Sequence, residues 1–186
     1  MIIEHKEDIT SNFKGTIIDI ETVGEFDTLY QYTNDSREYK YMEQVIFGFI
    51  NGQGLHIFYV KERKEIAELN EKVAEIIDSL ESPFYAFNCN FERSVLFYAF
   101  GKEINFDGEL QRGCEPKAKV VRDLSIPNYD DPFYDSGYRC MIAWKNGEFG
   151  RAIAHNRACL LKERDILMKR EMKREIRKPD ELKFAR

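Results

Sequence analysis

The N-terminal half of the chain carries short apolar blocks of the kind that form β-strands. Residues 15–22 read GTIIDIET, and residues 44–50 (QVIFGFI) and 55–60 (LHIFYV) are rich in aromatic and β-branched side chains. Between the last two blocks lies the sequence Asn-Gly-Gln-Gly, which is typical of a hairpin turn. The pattern predicts three strands that form the antiparallel start of a sheet.

Beyond these strands the apolar positions recur at helical spacing. In residues 62–80 they include Ile66, Leu69 and Val73, and charged residues occupy the positions between them. This spacing predicts a helix with one buried face. The remaining predicted elements are a strand at 84–87, a helix at 90–100, an edge strand at 104–106, a short helix at 117–124, an irregular segment at 129–149 and a long helix at 151–176.

This order of elements predicts an α/β fold. We expect a mixed sheet, with three antiparallel strands followed by parallel strands, flanked by helices. A chain of 186 residues with 43% hydrophobic content is the size of one ordinary domain. We therefore expect a single domain over residues 1–186, with a helical tail of mixed basic and acidic character from about residue 169.

Charge and cysteine content narrow the class of protein. The net charge of −5 argues against a strongly basic coat for nucleic acid, although a local basic groove remains compatible with it. The four cysteines form no C-x-x-C pair and lack a histidine at zinc-finger spacing, so we expect free thiols in a reducing compartment. No apolar run is long enough to predict a membrane span, and residues 1–10 lack a signal-peptide pattern. We expect a soluble cytoplasmic protein without a membrane partner or a nucleotide cofactor.

The first strand carries two acidic side chains, Asp19 and Glu21. Residues two apart in a strand project to the same side, so both carboxylates can face one cation. Because Ile17, Ile18 and Ile20 surround Asp19, the strand is predicted to be buried, where a carboxylate is costly unless it is paired or bound to metal. A chance pair at an exposed strand end is the alternative, since 33 of the 186 residues are acidic.

A second candidate segment lies where the strand at 84–87 meets the next helix. Asn88 occupies the turn and Glu92 the first helical turn. Both residue types are favoured at a helix N-terminus for structural reasons alone. Ligand sites of α/β sheets gather at strand ends, however, so Glu92 is also a candidate to join Asp19 and Glu21.

The third segment opens the last helix with the sequence HNRACLLKERDIL. At about 100° per residue, His155, Cys159 and Glu163 form one stripe along the helix. A neutral imidazole near an acid suits general-base chemistry, although pairing of His155 with a glutamate or a capping role would also explain it. Arg157 and Arg164 are candidates to contact a phosphate backbone.

Together, the three segments resemble the three exonuclease motifs of the DEDD superfamily of 3′-to-5′ exonucleases, the proofreading-exonuclease family, which has a ribonuclease H-like fold. The first motif of that family is Asp-x-Glu on the first strand, as in Asp19 and Glu21. The second commonly reads Asn-x-x-Phe-Asp, and residues 88–92 (NCNFE) match it with Glu in place of Asp. The third has His or Tyr about a turn before a final Asp, and His155 matches its first half. The similarity spans roughly residues 14–168.

The third motif departs from the family pattern. Cys159 or its neighbour Leu160 stands where the Asp is expected, and neither is a good ligand for hard Mg²⁺. Glu163, one turn further along the same stripe, could replace the missing acid. If Glu163 does not, the second metal site is weakened. Because sulfur is a softer ligand, Cys159 predicts a preference for Mn²⁺, which a comparison of rates in the two metals would test.

The resemblance implies a metal-dependent 3′-to-5′ exonuclease that hydrolyses terminal phosphodiester bonds of single-stranded DNA or RNA. Asp19, Glu21, Glu92 and Glu163 would hold two Mg²⁺ or Mn²⁺ ions, and His155 would orient or deprotonate the attacking water. Asn88 and Cys159 would contact these ligands without binding the metal ions themselves. One alternative is a degenerate module of the same fold that binds nucleic acid or a protein partner without turnover. Another is an unrelated metal-dependent hydrolase that shares only the Asp-x-Glu strand.

Overall fold

A six-stranded mixed sheet forms the centre of the computed structural model, which describes residues 1–31 and 33–185. The strand order is β1-β4-β3-β2-β5-β6; the first four strands pair antiparallel, and β5 and β6 continue parallel to β2. The strands are β1 (Ile3–Glu7), β2 (Thr16–Val23), β3 (Glu43–Asn51), β4 (Gly54–Tyr59), β5 (Phe84–Ala86) and β6 (Gly108–Glu109).

In the part of the chain that the structure describes, five α-helices and three short 3₁₀ segments accompany the sheet. The helices α1 and α2 pack on the sheet face that carries Phe49, and α5 packs on the face that carries Gly48, because successive strand residues point to opposite sides. The helices are α1 (Ile66–Ser79), α2 (Cys89–Phe100), α3 (Lys117–Asp123), α4 (Gly137–Lys145) and α5 (Phe149–Met172), and the 3₁₀ segments are Thr28–Tyr30, Ser36–Tyr39 and Arg63–Glu65.

The predicted α/β architecture is confirmed, with corrections. The strand predicted at 104–106 is wrong: pairing with β5 begins only where the Asp107 backbone N–H donates to the Phe84 carbonyl, and the edge strand is β6. Ile104 and Phe106 are still buried. The segment predicted to be irregular at 129–149 contains α4, and the N-terminal strand β1 was not predicted from the sequence.

The C-terminal segment after α5 is not the helical tail that the sequence predicted. The helix ends at Met172, and residues 173–185 run back across the molecule. Arg177 bridges to Glu109, and Lys183 bridges to Asp35 near a 3₁₀ segment. Phe184 packs against Phe97 of α2. The tail is therefore part of the packed structure.

Strand β2 lies at the centre of the sheet and positions the site. Its neighbour β3 is antiparallel and its other neighbour β5 is parallel, so β2 marks the change of strand direction. All eight residues of β2 are buried. Burial on both faces explains the continuous apolar sequence and makes the two acids within it exceptional.

Candidate active site

A cleft of about 750 Å³ opens over the middle of β2 and is walled by α2, α3, α4 and α5. Six of the residues singled out from the sequence line it, namely Asp19, Glu21, Asn88, Glu92, His155 and Cys159. Glu163 lies just behind the wall and is fully buried. The three segments that are far apart in the chain therefore meet at one place.

Asp19 is held by contacts to both of its carboxylate oxygens. Asn156 Nδ2 donates to Oδ2 at 2.7 Å and to the Asp19 backbone carbonyl at 3.1 Å. Lys117 Nζ donates to Oδ1 at 3.2 Å and to Glu163 Oε1 at 2.5 Å. Asn156 can approach so closely because Gly48 lies opposite Asp19 in the register; an added Cβ would stand 2.1 Å from Asn156 Oδ1. Lys117 thus occupies a cation position between two carboxylates.

Glu92 and Glu163 have buried carboxyl groups whose negative charge, once they ionise, the described residues would not fully compensate. The Oε2 atoms of both side chains are buried and have no hydrogen-bond partner among the described residues. Burial, together with the charge of Asp19, raises the pKa of Glu92 well above its usual value. Burial also raises the pKa of Glu163, although Lys117 opposes the shift. The two acids are therefore costly to ionise in the protein alone.

Glu21, the second acid of β2, lies close to His155. His155 Nε2 lies 3.6 Å from Glu21 Oε1 and 3.8 Å from Cys159 Sγ. Burial raises the pKa of Glu21 to about 7, although His155 opposes the shift. For His155, burial disfavours the charge, but the acidic neighbours Cys159, Glu21 and Asp131 outweigh it and raise the pKa to about 12. In the absence of metal the imidazole is therefore protonated.

A buried ionic network contacts His155 through its Nδ1 atom. Its Nδ1 lies 2.7 Å from Asp131 Oδ1, and since an ionised carboxylate only accepts, the imidazole donates. Lys162 Nζ donates to Asp131 Oδ2 and to Asp135 Oδ1, each at 2.7 Å. Despite burial, the hydrogen bond from His155 and the charges of His155 and Lys162 hold the pKa of Asp131 well below its usual value. The network fixes the ring orientation of His155.

Of the remaining candidates from the sequence, the two arginines lie away from the cleft. Arg157 pairs with Glu7 of β1 through both carboxylate oxygens, at 2.5 and 2.8 Å. Arg164 pairs with Asp165 at 2.8 Å. Neither arginine is among the described residues that line the cleft. Asn88 does line it, at the N-cap of α2, but its side chain does not accept the capping hydrogen bond.

Sequence reasoning missed several residues of the site. Lys117 was not among the candidates from the sequence, yet it contacts two candidate ligands. Asp131 lies in a loop, 24 positions before its partner His155. Asn156 directly follows His155 and lies four positions before Leu160, so a polar side chain on the apolar face of the predicted helix was the one local signal that could have found it.

The donor types in and beside the cleft are those that divalent cations take. Asp19, Glu21, Glu92 and Glu163 are four buried carboxylates, and oxygen is the ligand that Mg²⁺ and Mn²⁺ prefer. The buried unpartnered oxygens of Glu92 and Glu163 are free to accept a ligand bond. Lys117 supplies only part of the balancing charge. The residues present therefore suit a cation that would reduce the cost of these ionised carboxylates.

We expect the metal-free protein to lose stability as the pH rises from about 5 to 8. Glu21, Glu92, Glu163 and His155 all have raised pKa values in the folded state. The folded state therefore binds more protons than the unfolded state in this range, so the free energy of unfolding falls as the pH rises. For Glu21 alone, the free energy of unfolding falls by about 3 kcal/mol in total as the pH rises from the usual pKa of a glutamate to its folded pKa of about 7. Thermal unfolding at pH 5.5 and pH 8, with and without Mg²⁺, measures this.

Mg²⁺ should raise the melting temperature more at pH 8 than at pH 5.5, because the carboxylates must be ionised to bind it. The variant Glu21→Gln should show a smaller fall in melting temperature between the two pH values. Equal melting temperatures at both pH values for the metal-free protein would contradict the raised pKa values.

Comparison with known protein families, with characterised proteins and with solved structures gives no match for this chain. None of the helices described in residues 1–31 and 33–185 combines the length and the apolar composition that a membrane span needs.

Proposed function

We propose that this protein is a metal-dependent 3′-to-5′ exonuclease with a ribonuclease H-like fold, acting on single-stranded DNA or RNA. The observation that carries the proposal is one cleft lined by three of the candidate acids and His155, with the fourth candidate acid buried next to it. Asp19 and Glu21 come from β2, Glu92 from α2 and Glu163 from α5. Lys117 contacts both Asp19 and Glu163, so it connects an acid of β2 to the acid of α5.

The sheet order supports the fold assignment. Strands β4, β3 and β2 form an antiparallel unit, and β5 and β6 extend it in parallel on the β2 side. This is the arrangement that the sequence resemblance implies, with β1 as an additional edge strand. The candidate ligands of β2 also lie at the strand where the direction changes, which is where sites of α/β sheets form.

In the proposed reaction, a bound divalent metal supplies an activated water and stabilises charge on the leaving oxygen. Asn156 fixes the orientation of Asp19 through two hydrogen bonds. Asp131 fixes His155 so that Nε2 points into the cleft, where the protonated ring can donate a hydrogen bond to the attacking water and orient it. His155 can take the proton of that water only after Nε2 has lost its own. Lys117 places positive charge beside Asp19, where it can contact a phosphate oxygen.

The walls of the cleft suit unpaired bases. Phe26 and Tyr138 line the cleft and are 51% and 70% exposed. Phe91 and Met141 also line it. Exposed aromatic rings on which bases stack are one of the usual means by which proteins hold single strands without reading sequence. Lys145 adds a positive charge to the same wall. A single strand is therefore the substrate that we propose.

We expect Tyr138→Ala to raise the KM for an oligonucleotide about 10-fold while leaving kcat nearly unchanged, because stacking of one base contributes about 1–3 kcal/mol. The matched control is Tyr134→Ala: Tyr134 is 71% exposed, almost equal to Tyr138, but it is not among the residues lining the cleft. Steady-state kinetics on a short single strand measures both variants. Equal effects of the two substitutions would contradict a stacking role for Tyr138.

The test of the function is degradation of 5′-labelled single-stranded DNA and RNA in Mg²⁺ and in Mn²⁺. An exonuclease of this polarity produces a ladder that shortens from the 3′ end, stops with a chelator and is blocked by a 3′-phosphate. The same oligonucleotide with a 5′ block should be degraded normally. The absence of a ladder on either polymer in either metal would contradict the proposal.

A degenerate binding module is the alternative that specific observations favour. Lys117 already bridges Asp19 and Glu163, so a built-in ammonium could replace a metal ion. Cys159 also stands near the position of an expected acid. This alternative predicts binding of the labelled strands without shortening, and no Mg²⁺-dependent rise in melting temperature.

A further inference from the structure

We propose that Glu21, His155 and Cys159 form a binding site for Zn²⁺, which shares Glu21 with the carboxylates that suit Mg²⁺ but adds a nitrogen and a sulfur donor. The ligand atoms of the three side chains all lie within 4.8 Å of one another, and all three residues are buried. Each also lines the cleft, so an ion can reach them from solvent. The proposal concerns metal binding and does not depend on any hydrolytic activity.

The distances are close to those of a zinc centre. His155 Nε2 lies 3.6 Å from Glu21 Oε1 and 3.8 Å from Cys159 Sγ. In a tetrahedral site with Zn–S of about 2.3 Å and Zn–N of about 2.0 Å, neighbouring ligand atoms lie about 3.3–3.6 Å apart. In both pairs that include His155, the ligand atoms therefore need to approach each other by only a few tenths of an ångström. The fourth position remains for water.

The hydrogen bond that His155 makes through Nδ1 is of the kind that metal-binding histidines make. Its Nδ1 is hydrogen-bonded to Asp131 at 2.7 Å, which directs Nε2 towards Glu21 and Cys159. A carboxylate behind the imidazole is the usual device that orients a histidine ligand of zinc. Lys162 contacts the other oxygen of Asp131 and so holds this carboxylate in place.

The donor types select the metal. One carboxylate, one imidazole and one thiolate suit Zn²⁺, whereas Mg²⁺ takes oxygen ligands. On binding, the Cys159 thiol and the imidazole ring give up their protons to solvent. A second group, made of Asp131, Asp135 and Cys159, also has close ligand atoms, but Lys162 already lies 2.7 Å from both aspartates. The ammonium takes the place of a cation there, so the group with Glu21 is the one open to metal.

Such a site would overlap the proposed active site. Zn²⁺ bound to Glu21 and His155 would withdraw both from the attacking water, so zinc would inhibit the proposed exonuclease rather than support it. The thiol of Cys159 would then have a defined purpose, in place of the acid that the sequence motif leads one to expect.

Co²⁺ titration of the reduced full chain tests the site, because Co²⁺ replaces Zn²⁺ and reports on its ligands by absorption. We expect a near-ultraviolet band from thiolate-to-metal charge transfer, intense visible bands of tetrahedral Co²⁺, saturation at one equivalent and loss of all bands on addition of Zn²⁺. Cys159→Ser should lose the charge-transfer band. The matched control Cys114→Ser removes an exposed thiol and should keep it.

Several outcomes would overturn the proposal. These are a wild-type spectrum without a thiolate band, weak octahedral bands alone, or a band that persists in Cys159→Ser and disappears in Cys114→Ser. Circular dichroism of Cys159→Ser shows whether a lost band reflects misfolding. His155→Gln serves as a second variant, which should turn a tight one-equivalent titration into one at least about 10-fold weaker.

Discussion

Replacing Asp19 by asparagine is expected to lower the rate of 3′-terminal hydrolysis by about 10³-fold, because a metal ion contributes several kcal/mol to transition-state charge stabilisation. The substitution keeps the shape of the side chain but removes its charge. It also turns one carboxylate oxygen into an amide nitrogen, which cannot accept from Asn156 or Lys117. The ladder assay on 5′-labelled strands measures the loss, and calorimetry with Mg²⁺ measures the expected weakening of metal binding.

Asp165→Asn is the matched control for this variant. Asp165 belongs to α5, as Glu163 does, but it pairs with Arg164 and Tyr129 and is not among the residues lining the cleft. We expect its activity to remain within about 2-fold of wild type, as surface changes away from such features usually have small effects. Full activity of Asp19→Asn would show that β2 does not carry the reaction.

Replacing Lys162 by methionine is expected to lower the free energy of unfolding by about 3–5 kcal/mol, because it leaves a buried carboxylate pair without its cation. Lys162 is 0% exposed and lies 2.7 Å from both Asp131 and Asp135. Methionine keeps most of the volume, so the loss reports the charge. Urea unfolding at neutral pH measures it.

Lys169→Met is the control on the same helix. The Lys169 ammonium donates to a single backbone carbonyl, that of Leu124, and the bond is partly exposed. A loss of about 1 kcal/mol or less is therefore expected. Adding Asp131→Asn to Lys162→Met should recover part of the stability, because the unpaired charge is then removed. An equal loss in the two lysine variants would contradict the role of the network.

The elements that were predicted correctly carry strong local patterns. The sequence GTIIDIET gave the central strand because a continuous apolar run needs burial on both faces, and β2 spans Thr16–Val23. The helical spacing in residues 62–80 likewise predicted α1, Ile66–Ser79. The stripe of His155, Cys159 and Glu163 was also predicted, since residues four apart on a helix share a face and His155 does contact Cys159.

Helix α4 escaped prediction because its buried face is short and mixed. Within Gly137–Lys145 only Cys140, Ala143 and Trp144 are buried, and two tyrosines and three aspartates precede the helix in the turn-rich segment 128–136. Its position is fixed by a distant contact: Trp144 Nε1 donates to the Val60 carbonyl at 2.8 Å. No local pattern encodes such a contact.

The site partners that were missed share this cause. Lys117 lies 98 positions from Asp19, and a lysine in a sequence looks the same whether it faces solvent or two buried carboxylates. The fold decides between these environments. Sequence motifs therefore located the acids and the histidine, whereas the groups that orient and neutralise them became visible only with the structure.

Gly48 links the sheet to α5 in a way that constrains the evolution of both. Any side chain at position 48 would overlap the Asn156 carboxamide, which an added Cβ would meet at 2.1 Å. In a relative of this protein with alanine at position 48, the residue at position 156 must be smaller or its side chain must turn away, and either change would cost the two hydrogen bonds to Asp19. Positions 48 and 156 should co-vary among homologues, and a lineage that gave up the glycine would also have given up the present support of its first acid.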